Sequence, residues 1–335
     1  MIFDSESVFE DNVITVLKQH GWKDGVLRYP TEQDLLDNWK GILYRNNNDI
    51  DRLGKYPLTD GEMAQIIEQI ETLRTPLALN SFVNGRTVSI TRDNKEDVAH
   101  FGKEISLYIY DRKEIAGGKS TYQIAQQPVY PAKNKMLNSR RGDLVLLING
   151  MPLIHIELKK SGIPVSQATN QIEKYTHEGV FTGLFRLVQI FVAMNPDDAV
   201  YFANPGVDKF NPSYYFHWAD YNNEPICGGQ NPGKDEWKLF IGGTSGTAGL
   251  LSIPMAHQLI GFYTIADSAD GCLKVLRSYQ YIAANAISDV VRKCDWEQRP
   301  TTPGRPGGYV WHTTGSGKTM TSFKSVSYTH LTLPT

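Results

Sequence analysis

Three side chains suited to metal-assisted chemistry stand close together in the segment RRGDLVLLINGMPLIHIELKK. Asp143 comes immediately before an apolar run, and Glu157 and Lys159 come near the end of the next one. Two carboxylates held close together repel each other, and a hard divalent cation with oxygen ligands relieves that repulsion, with Mg²⁺ the expected ion. A cation bound by Asp143 and Glu157 can polarise a phosphodiester and supply hydroxide, while Lys159 positions the attacking water and offsets developing charge. These residues therefore predict phosphodiester hydrolysis.

The elements that must position these residues are the two strands of a hairpin. Residues 144–148 are apolar at every position, which predicts a strand buried on both faces, and Asn149-Gly150 is a typical hairpin turn. The second strand, residues 153–159, alternates, so that Glu157 and Lys159 share one face. Charged side chains on a central strand therefore indicate a functional face.

The register of this hairpin decides whether Asp143 joins the other two residues. A two-residue turn would pair Asp143 with Ile156 and leave Glu157 on the opposite face. One extra residue places Asp143 directly opposite Glu157, with their Cβ atoms roughly 5 Å apart. We therefore predict a bulge made by Gly150 at positive φ, or an equivalent longer loop.

The spacing of an aspartate followed by Glu-x-Lys across a hairpin resembles the PD-(D/E)xK nuclease superfamily. Asp143, Glu157 and Lys159 match its three motif positions. Glu-x-Lys alone also occurs at solvated strand ends, so the surrounding sequence must separate a nuclease site from an ordinary surface strand.

Two further features support the nuclease interpretation. Gln171 and Tyr175 lie four residues apart, on one face of a predicted helix, and resemble the motif that follows the active site in one branch of these nucleases. Glu10 heads the apolar stripe of the first predicted helix, where a fourth acidic residue of such sites often lies. The alternative for Glu10 is an exposed first-turn acid favoured by the helix dipole.

Basic residues precede Asp143 and are candidates for contacts with DNA phosphates, although a solvated loop is the alternative interpretation. They are Lys133, Lys135, Arg140 and Arg141.

The segment WHTTGSGKTMTSF resembles a Walker A phosphate-binding loop. It follows a short predicted strand at 309–311 and precedes a predicted helix, which is the required context. Backbone amides at the glycines would approach ATP phosphates, the lysine would reach the β and γ oxygens, and the threonine would ligate Mg²⁺. His312 replaces the usual first glycine, a form similar to that of superfamily 2 translocases. The predicted nucleotide-binding residues of the loop are Gly315, Ser316, Gly317, Lys318 and Thr319.

The order of these motifs resembles the type I restriction endonuclease R subunit over residues 1–324. Upstream of the phosphate loop, Arg277-Ser-Tyr279-Gln280 resembles the adenine-reading glutamine motif of such motors, with Gln280 as the reader. The resemblance implies a nuclease that is also an ATP-dependent translocase of duplex DNA, with Mg²⁺ and ATP as cofactors. It also implies methylase and specificity subunits as partners.

The coarse pattern of elements predicts an α/β protein. Helices capped at Thr31 and at Thr59 follow the first helix, and alternating strands then occupy residues 86–111. The resemblance implies a PD-(D/E)xK nuclease-like mixed sheet flanked by helices over residues 1–245, followed by the truncated beginning of a RecA-like ATPase domain over residues 250–325. The boundary is predicted within 228–249, whose Gly, Pro and Asn content predicts a loop. Residues 326–335 resemble translated vector sequence, so that ATP hydrolysis is not expected of this chain.

Composition sets the remaining limits. At 335 residues and 37.6 kDa, with 41% hydrophobic and 21% charged residues, the chain is expected to fold as a globular protein of two domains. A net charge of -2 gives no chain-wide basic footprint, so contacts with nucleic acid must be local. Its three cysteines are far apart, which argues against a disulfide framework or zinc ribbon. No leader or membrane-spanning apolar stretch is visible, so we expect a cytoplasmic protein that does not associate with membranes.

Two alternatives remain open at this stage. The first domain could be a non-catalytic DNA-binding module with solvated hairpin charges, or the chain could be a small-molecule phosphotransferase. Carboxylates that lie apart would favour the first alternative, whereas the long strand-rich leading region disfavours the second.

Overall fold

A computed structural model describes residues 2–115, 117–131, 140–207, 209–229, 233, 235–293 and 308–332 of the protein. Its helices are α1 (Glu6–Gln19), α2 (Glu32–Asn46), α3 (Asp60–Thr72), α4 (Pro76–Asn84), α5 (Val165–His177), α6 (Glu236–Gly242), α7 (Met255–Gly261), α8 (Ser278–Lys293) and α9 (Lys318–Thr332). Its strands are β1 (Val26–Arg28), β2 (Thr87–Thr91), β3 (Glu104–Tyr108), β4 (Tyr122–Gln126), β5 (Leu144–Ile148), β6 (Met151–Leu158), β7 (Ile190–Met194), β8 (Ala199–Ala203), β9 (Thr264–Asp267) and β10 (Cys272–Val275).

The helices of the opening segment begin where their capping residues predict. The side chain of Thr31 accepts a hydrogen bond from the amide of Asp34, and that of Thr59 accepts one from the amide of Glu62. Helix α1 ends just before Gly21, whose φ of 111° is open to glycine but strained for other residues. The predicted helical opening of the chain is thus confirmed.

The largest sheet of the described residues has six strands and is mixed, in the order β1-β4-β5-β6-β7-β8. Strand β1 runs parallel to β4, and β6 runs parallel to β7, whereas the other neighbours are antiparallel. Helices α1 and α5 pack against β6, which lies near the centre of the sheet. The predicted α/β class with helices flanking a mixed sheet is confirmed.

Two predicted details of secondary structure are wrong. Residues 228–249 were expected to form a loop, but α6 lies within them because Trp237, Phe240 and Ile241 are buried on one helix face. Residues 309–311 were expected to form a strand, but no described residue pairs with them, and Tyr309 is 90% exposed. A strand needs hydrogen-bonding neighbours, and the described strands after residue 250 are only the antiparallel pair β9 and β10.

One continuous apolar core extends from Phe3 to Leu276. The indole of Trp22 donates a hydrogen bond to the carbonyl of Leu251 at 2.7 Å. The hydroxyl of Tyr201 donates one to the carbonyl of Leu276 at 2.8 Å. The division at residues 245–250 stays a prediction, since buried side chains on both of its sides belong to this core. Within the described residues, every helix is too short or too polar to cross a membrane.

Candidate active site

The hairpin of β5 and β6 contains the extra residue that the register requires, but at a different place from the one predicted. Leu146 pairs with Ile154, whereas Leu147 pairs with Pro152, so that Leu153 has no partner and forms a bulge in β6. Leu144 pairs with Ile156, so the next position along the antiparallel register places Asp143 opposite Glu157. This is the alignment that the sequence predicted.

The turn itself has two residues. Asn149 and Gly150 have φ values of 52° and 82°, which suit a tight hairpin turn. A Cβ at Gly150 would lie 2.9 Å from the Cα of Trp39, so α2 packs directly against this turn. Pro152 has no amide hydrogen to lose and is tolerated beside an irregular point of the ladder, which explains why the extra residue lies there.

The carboxyl groups of Asp143 and Glu157 converge at the end of β6. Asp143 Oδ2 accepts a hydrogen bond from the amide of Leu158 at 2.7 Å. Burial, followed by the charge of Glu157, raises the pKa of Asp143 well above its ordinary value. Burial likewise raises the pKa of Glu157 to about 8, although Lys159 and a hydrogen bond shared with Asp143 partly offset this effect. Both shifts favour the protonated carboxyls, so the metal-free pair resists ionisation of both groups at once.

Lys159 lies beside these carboxyls and also beside Glu6. The Nζ of Lys159 is 3.8 Å from Glu157 Oε1 and 3.6 Å from Glu6 Oε1, and it donates a hydrogen bond to the carbonyl of Leu158 at 2.9 Å. Glu6 was missed by the sequence analysis, although it stands one helical turn before Glu10 and shares a face with it.

Glu10 is buried and faces the same region. It accepts hydrogen bonds from Gln126 Nε2 at 2.6 Å and Gln127 Nε2 at 3.2 Å. Burial raises its pKa, and its charge in turn contributes to the raised pKa values of Asp143 and Glu157. The alternative of an exposed first-turn acid is therefore wrong, because Glu10 is only 3% exposed.

Gln171 and Tyr175 support the chain that leads into the site. Gln171 Nε2 donates to the hydroxyl of Tyr175 at 2.7 Å, and that hydroxyl donates to the carbonyl of Arg141 at 2.9 Å. Burial and the charge of Glu157 raise the pKa of Tyr175 to about 12. Both residues are thus placed to position the segment before Asp143.

The basic residues before Asp143 are only partly available to DNA. Arg140 forms a two-pronged ion pair with Glu178, with both nitrogen–oxygen distances at 2.9 Å. Arg141 is exposed, and its guanidinium lies 5.8 Å from the ring of Tyr29. Lys133 and Lys135 lie outside the described residues.

His155 is a further buried neighbour that the sequence analysis did not select. Its Nε2 lies 3.2 Å from Glu157 Oε2, and its Nδ1 lies 2.9 Å from the hydroxyl of Tyr130. The alternation of β6 could have indicated it, because His155 and Glu157 are two residues apart on one face. Tyr130 follows β4, and no local sequence signal connects it with the hairpin.

The donor set fits a hard divalent cation. Once both carboxyls are ionised, Glu157 Oε1 is a buried oxygen that accepts no hydrogen bond from any described residue. Over the described chain, no cluster of three or more His, Cys, Asp or Glu residues is arranged around a metal position. Asp143 and Glu157 therefore offer two carboxylates and leave the remaining positions to water and backbone oxygen, a set that suits Mg²⁺.

The phosphate loop packs against the start of α8. Gly315 and Gly317 have φ values of 77° and 81°, and Lys318 is the first residue of α9. The hydroxyl of Tyr279 donates to the carbonyl of Ser316 at 2.8 Å. The loop thus precedes a helix N-terminus, as the sequence predicted.

The side-chain amide of Gln280 forms hydrogen bonds with the backbone of the protein. Its Nε2 donates to the carbonyl of Gly317 at 3.2 Å, and its Oε1 accepts from the amide of Arg277 at 2.9 Å. Gly317 has a φ of 81°, which favours glycine there, and a Cβ at this position would displace the side-chain amide of Gln280. In this conformation Gln280 connects its helix to the phosphate loop, and its role as the reader of adenine stays a prediction.

A cavity of about 320 Å³ opens beside this loop. Its lining includes the loop glycines, Gln280 and Arg277, together with Tyr215 and Phe216 from the segment after β8. Arg277 lies over the ring of Phe216 at 4.4 Å. A nucleotide-sized space thus adjoins the predicted phosphate-binding residues.

Comparison with known proteins identifies the family. The model of the type I restriction enzyme R protein N terminus matches residues 4–210, more than half of the chain. The chain belongs to the type I restriction enzyme R protein family. The resemblance found in the sequence is thereby confirmed, and the matched residues contain the whole convergence around Asp143 and Glu157.

Relatives within this family cover nearly all of the chain. A type I restriction enzyme endonuclease subunit from Staphylococcus saprophyticus is 30% identical over 97% of this chain and 30% of the relative. One from Staphylococcus aureus is 32% identical over the same shares, and one from Escherichia coli is 26% identical over 93% of this chain and 99% of the relative. The chain spans about 30% of the length of the staphylococcal relatives.

A second model, that of the SWI2/SNF2 ATPase, matches residues 279–333. This match begins at Tyr279, next to Gln280, and includes the entire phosphate loop. The matched segment therefore includes Gln280 and the phosphate-loop residues that line the cavity.

Proposed function

We propose that this chain carries the DNA-cleaving site of a type I restriction enzyme and hydrolyses phosphodiesters with Mg²⁺ held by Asp143 and Glu157. The observation that carries the proposal is the convergence of the half-buried Asp143 carboxyl and the buried Glu157 carboxyl beside Lys159, where Glu157 Oε1 accepts no hydrogen bond from any described residue. Such a bound ion would polarise the phosphodiester of the substrate and supply a hydroxide nucleophile.

The chain's own residues would prepare this chemistry. Asp143 and Glu157 must give up their shared proton before they can bind a cation, which couples metal binding to deprotonation. Lys159, anchored on the carbonyl of Leu158, would hold the attacking water and offset negative charge on the phosphorane. Gln171 and Tyr175 would keep the aspartate-bearing segment in place.

The alternative of a non-catalytic DNA-binding module is less well supported. It requires hairpin charges that are solvated and apart, whereas Glu157 is buried, Asp143 is half-buried, and the charge of Glu157 helps to raise the pKa of Asp143. Two carboxyls shielded from water without a cation are costly, and such groups are common at functional sites.

We also propose that the phosphate loop binds ATP and that the subunit translocates duplex DNA together with methylase and specificity subunits. The support is the loop with its adjacent cavity and the ATPase match over residues 279–333. The relatives are called endonuclease subunits of type I restriction enzymes, which supports assembly with further subunits.

Nicking of supercoiled plasmid DNA tests the nuclease proposal. The chain is expected to convert supercoiled plasmid to the open circle with Mg²⁺ and to be inactive with excess chelator. Without the ion, two carboxylates can neither polarise the phosphodiester nor activate a water molecule as a metal does. Titration of Mg²⁺ followed by gel electrophoresis is the measurement. Nicking that persists at full rate in the chelator would contradict the proposed metal dependence.

A fluorescent ATP analogue tests the phosphate loop. Lys318→Ala should weaken its binding roughly 10-fold, because a charge-assisted hydrogen bond to phosphate is lost. Fluorescence anisotropy gives the dissociation constants. Lys238→Ala, which removes an exposed lysine of α6 ion-paired with Asp235, is the matched control and should bind as the wild type does. Equal binding by Lys318→Ala and the control would argue against this loop as the site.

A further inference from the structure

The hydrogen bonds of Glu157 are unevenly distributed between its two carboxylate oxygens. Oε2 lies 3.2 Å from His155 Nε2, whereas Oε1 accepts no hydrogen bond from any described residue. Both side chains are fully buried. Oε2 is therefore held at hydrogen-bond distance, whereas the described neighbour of Oε1 is Lys159 Nζ at the ion-pair distance of 3.8 Å.

The imidazole of His155 is itself held from its other nitrogen. Its Nδ1 lies 2.9 Å from the hydroxyl of Tyr130, which is also buried. Once Glu157 is ionised, as metal binding requires, its carboxylate can only accept, so Nε2 carries the hydrogen that is donated to Glu157, and Nδ1 accepts from the Tyr130 hydroxyl.

The surrounding packing leaves this pair little freedom. The rings of Phe181 and Phe191 contact the imidazole edge-on, with centroid distances of 5.4 Å and 5.9 Å. Gly142 lies against it on the side of Asp143, and a Cβ there would be 2.8 Å from His155 Cε1. The absent side chain at position 142 thus allows the imidazole to approach the segment that carries the first carboxylate.

We propose that His155, oriented by Tyr130, is a positioning residue that ties Glu157 Oε2 so that Oε1 alone is directed to the metal ion. The inference rests on the proposed nuclease function and adds a role for residues outside its motif. Outer hydrogen bonds of this kind orient metal ligands, and their loss typically weakens metal binding about 10–100-fold.

Metal affinity separates this role from a general effect on the fold. His155→Leu, which fills a similar volume without a donor, should raise the dissociation constant for Mn²⁺, used as a probe in place of Mg²⁺, by at least about 10-fold. His155→Gln places an amide nitrogen at the same number of bonds from the backbone as Nε2 and should recover most of the affinity. Calorimetry or Mn²⁺ spin resonance on the full chain gives both values.

A matched control comes from a second buried histidine. His257 Nδ1 also lies close to a tyrosine hydroxyl, at 2.8 Å from Tyr122, but its Nε2 lies 3.0 Å from the backbone carbonyl of Asp111 instead of a carboxylate. His257→Gln should leave the Mn²⁺ affinity of the folded protein unchanged. If His155→Leu binds Mn²⁺ as tightly as the wild type, or His257→Gln weakens binding as much, the inference is overturned.

The metal-free protein provides an independent measurement. Nitrogen-15 spectra of the histidine rings at pH 9, with the His155 signals assigned by their loss in His155→Gln, should show the hydrogen on Nε2. A hydrogen on Nδ1 would overturn the proposed orientation.

Failure of the inference can be told apart from failure of the proposed function. Mn²⁺ binding that Asp143→Ala abolishes, but that His155→Leu leaves unchanged, overturns the positioning role alone. An absence of any Asp143-dependent Mn²⁺ binding overturns both.

Discussion

Asp143→Ala should lower the rate of Mg²⁺-dependent plasmid nicking by at least about 100-fold, and Lys159→Ala should do the same for a different reason. Removing Asp143 removes one of two metal ligands, so Mn²⁺ binding should be lost together with activity. Removing Lys159 removes a cation from beside Glu157, so metal binding should survive while the chemical step is slowed.

The distinction is measured by nicking rates at saturating Mg²⁺ together with Mn²⁺ titration of each variant. Lys160→Ala is the matched control, because Lys160 is adjacent in sequence but exposed, and its Nζ contacts the carbonyl of Asp4 at 3.3 Å. It should retain the wild-type rate. Nicking by Asp143→Ala at a rate near that of the wild type would show that another part of the chain, or a contaminant, cleaves the DNA.

The sequence was sufficient to predict which face each residue of the hairpin occupies. Strand alternation and the residue count between Asp143 and Glu157 required one extra residue, and this requirement holds in the structure. The position of that residue was assigned to Gly150, whereas the bulge lies beside Pro152, a residue that has no amide hydrogen and that the sequence analysis did not consider. Strand alternation thus determined how many residues the register needs, and the place of the bulge required attention to Pro152.

Residues that reach the site from other elements were harder to find. Tyr130 follows β4 and reaches His155 only through the arrangement of the sheet, whereas Glu6 could have been found from its position one helical turn before Glu10. The glycine conformations of the phosphate loop were predictable, because positive φ is a local requirement. The strand at 309–311 was not, because strand formation depends on partners elsewhere in a sheet.

Glu157→Gln should make the metal-free protein more stable than the wild type at pH 8, with little difference near pH 5. The pKa of Glu157 is about 8 in the folded protein against an ordinary value of 4.5. Below pH 4.5 both states hold the proton, and as pH rises toward 8 the unfolded chain releases it while the folded protein does not. The free energy of unfolding therefore falls across this interval and stays low above it.

Glutamine is neutral at every pH and avoids this loss, so the melting temperature of the variant should exceed that of the wild type by at least about 2–4 °C at pH 8. Thermal unfolding in chelator at pH 5 and pH 8 gives the comparison. Adding Mg²⁺ at pH 8 should stabilise the wild type, because the cation compensates both ionised carboxylates, and should have little effect on the variant. Glu178→Gln, at a partly exposed ion pair, should show neither the pH-dependent gain nor a loss of stabilisation by Mg²⁺. An equal melting temperature of Glu157→Gln and wild type at pH 8 would mean that burial does not raise the pKa of Glu157 in the folded protein.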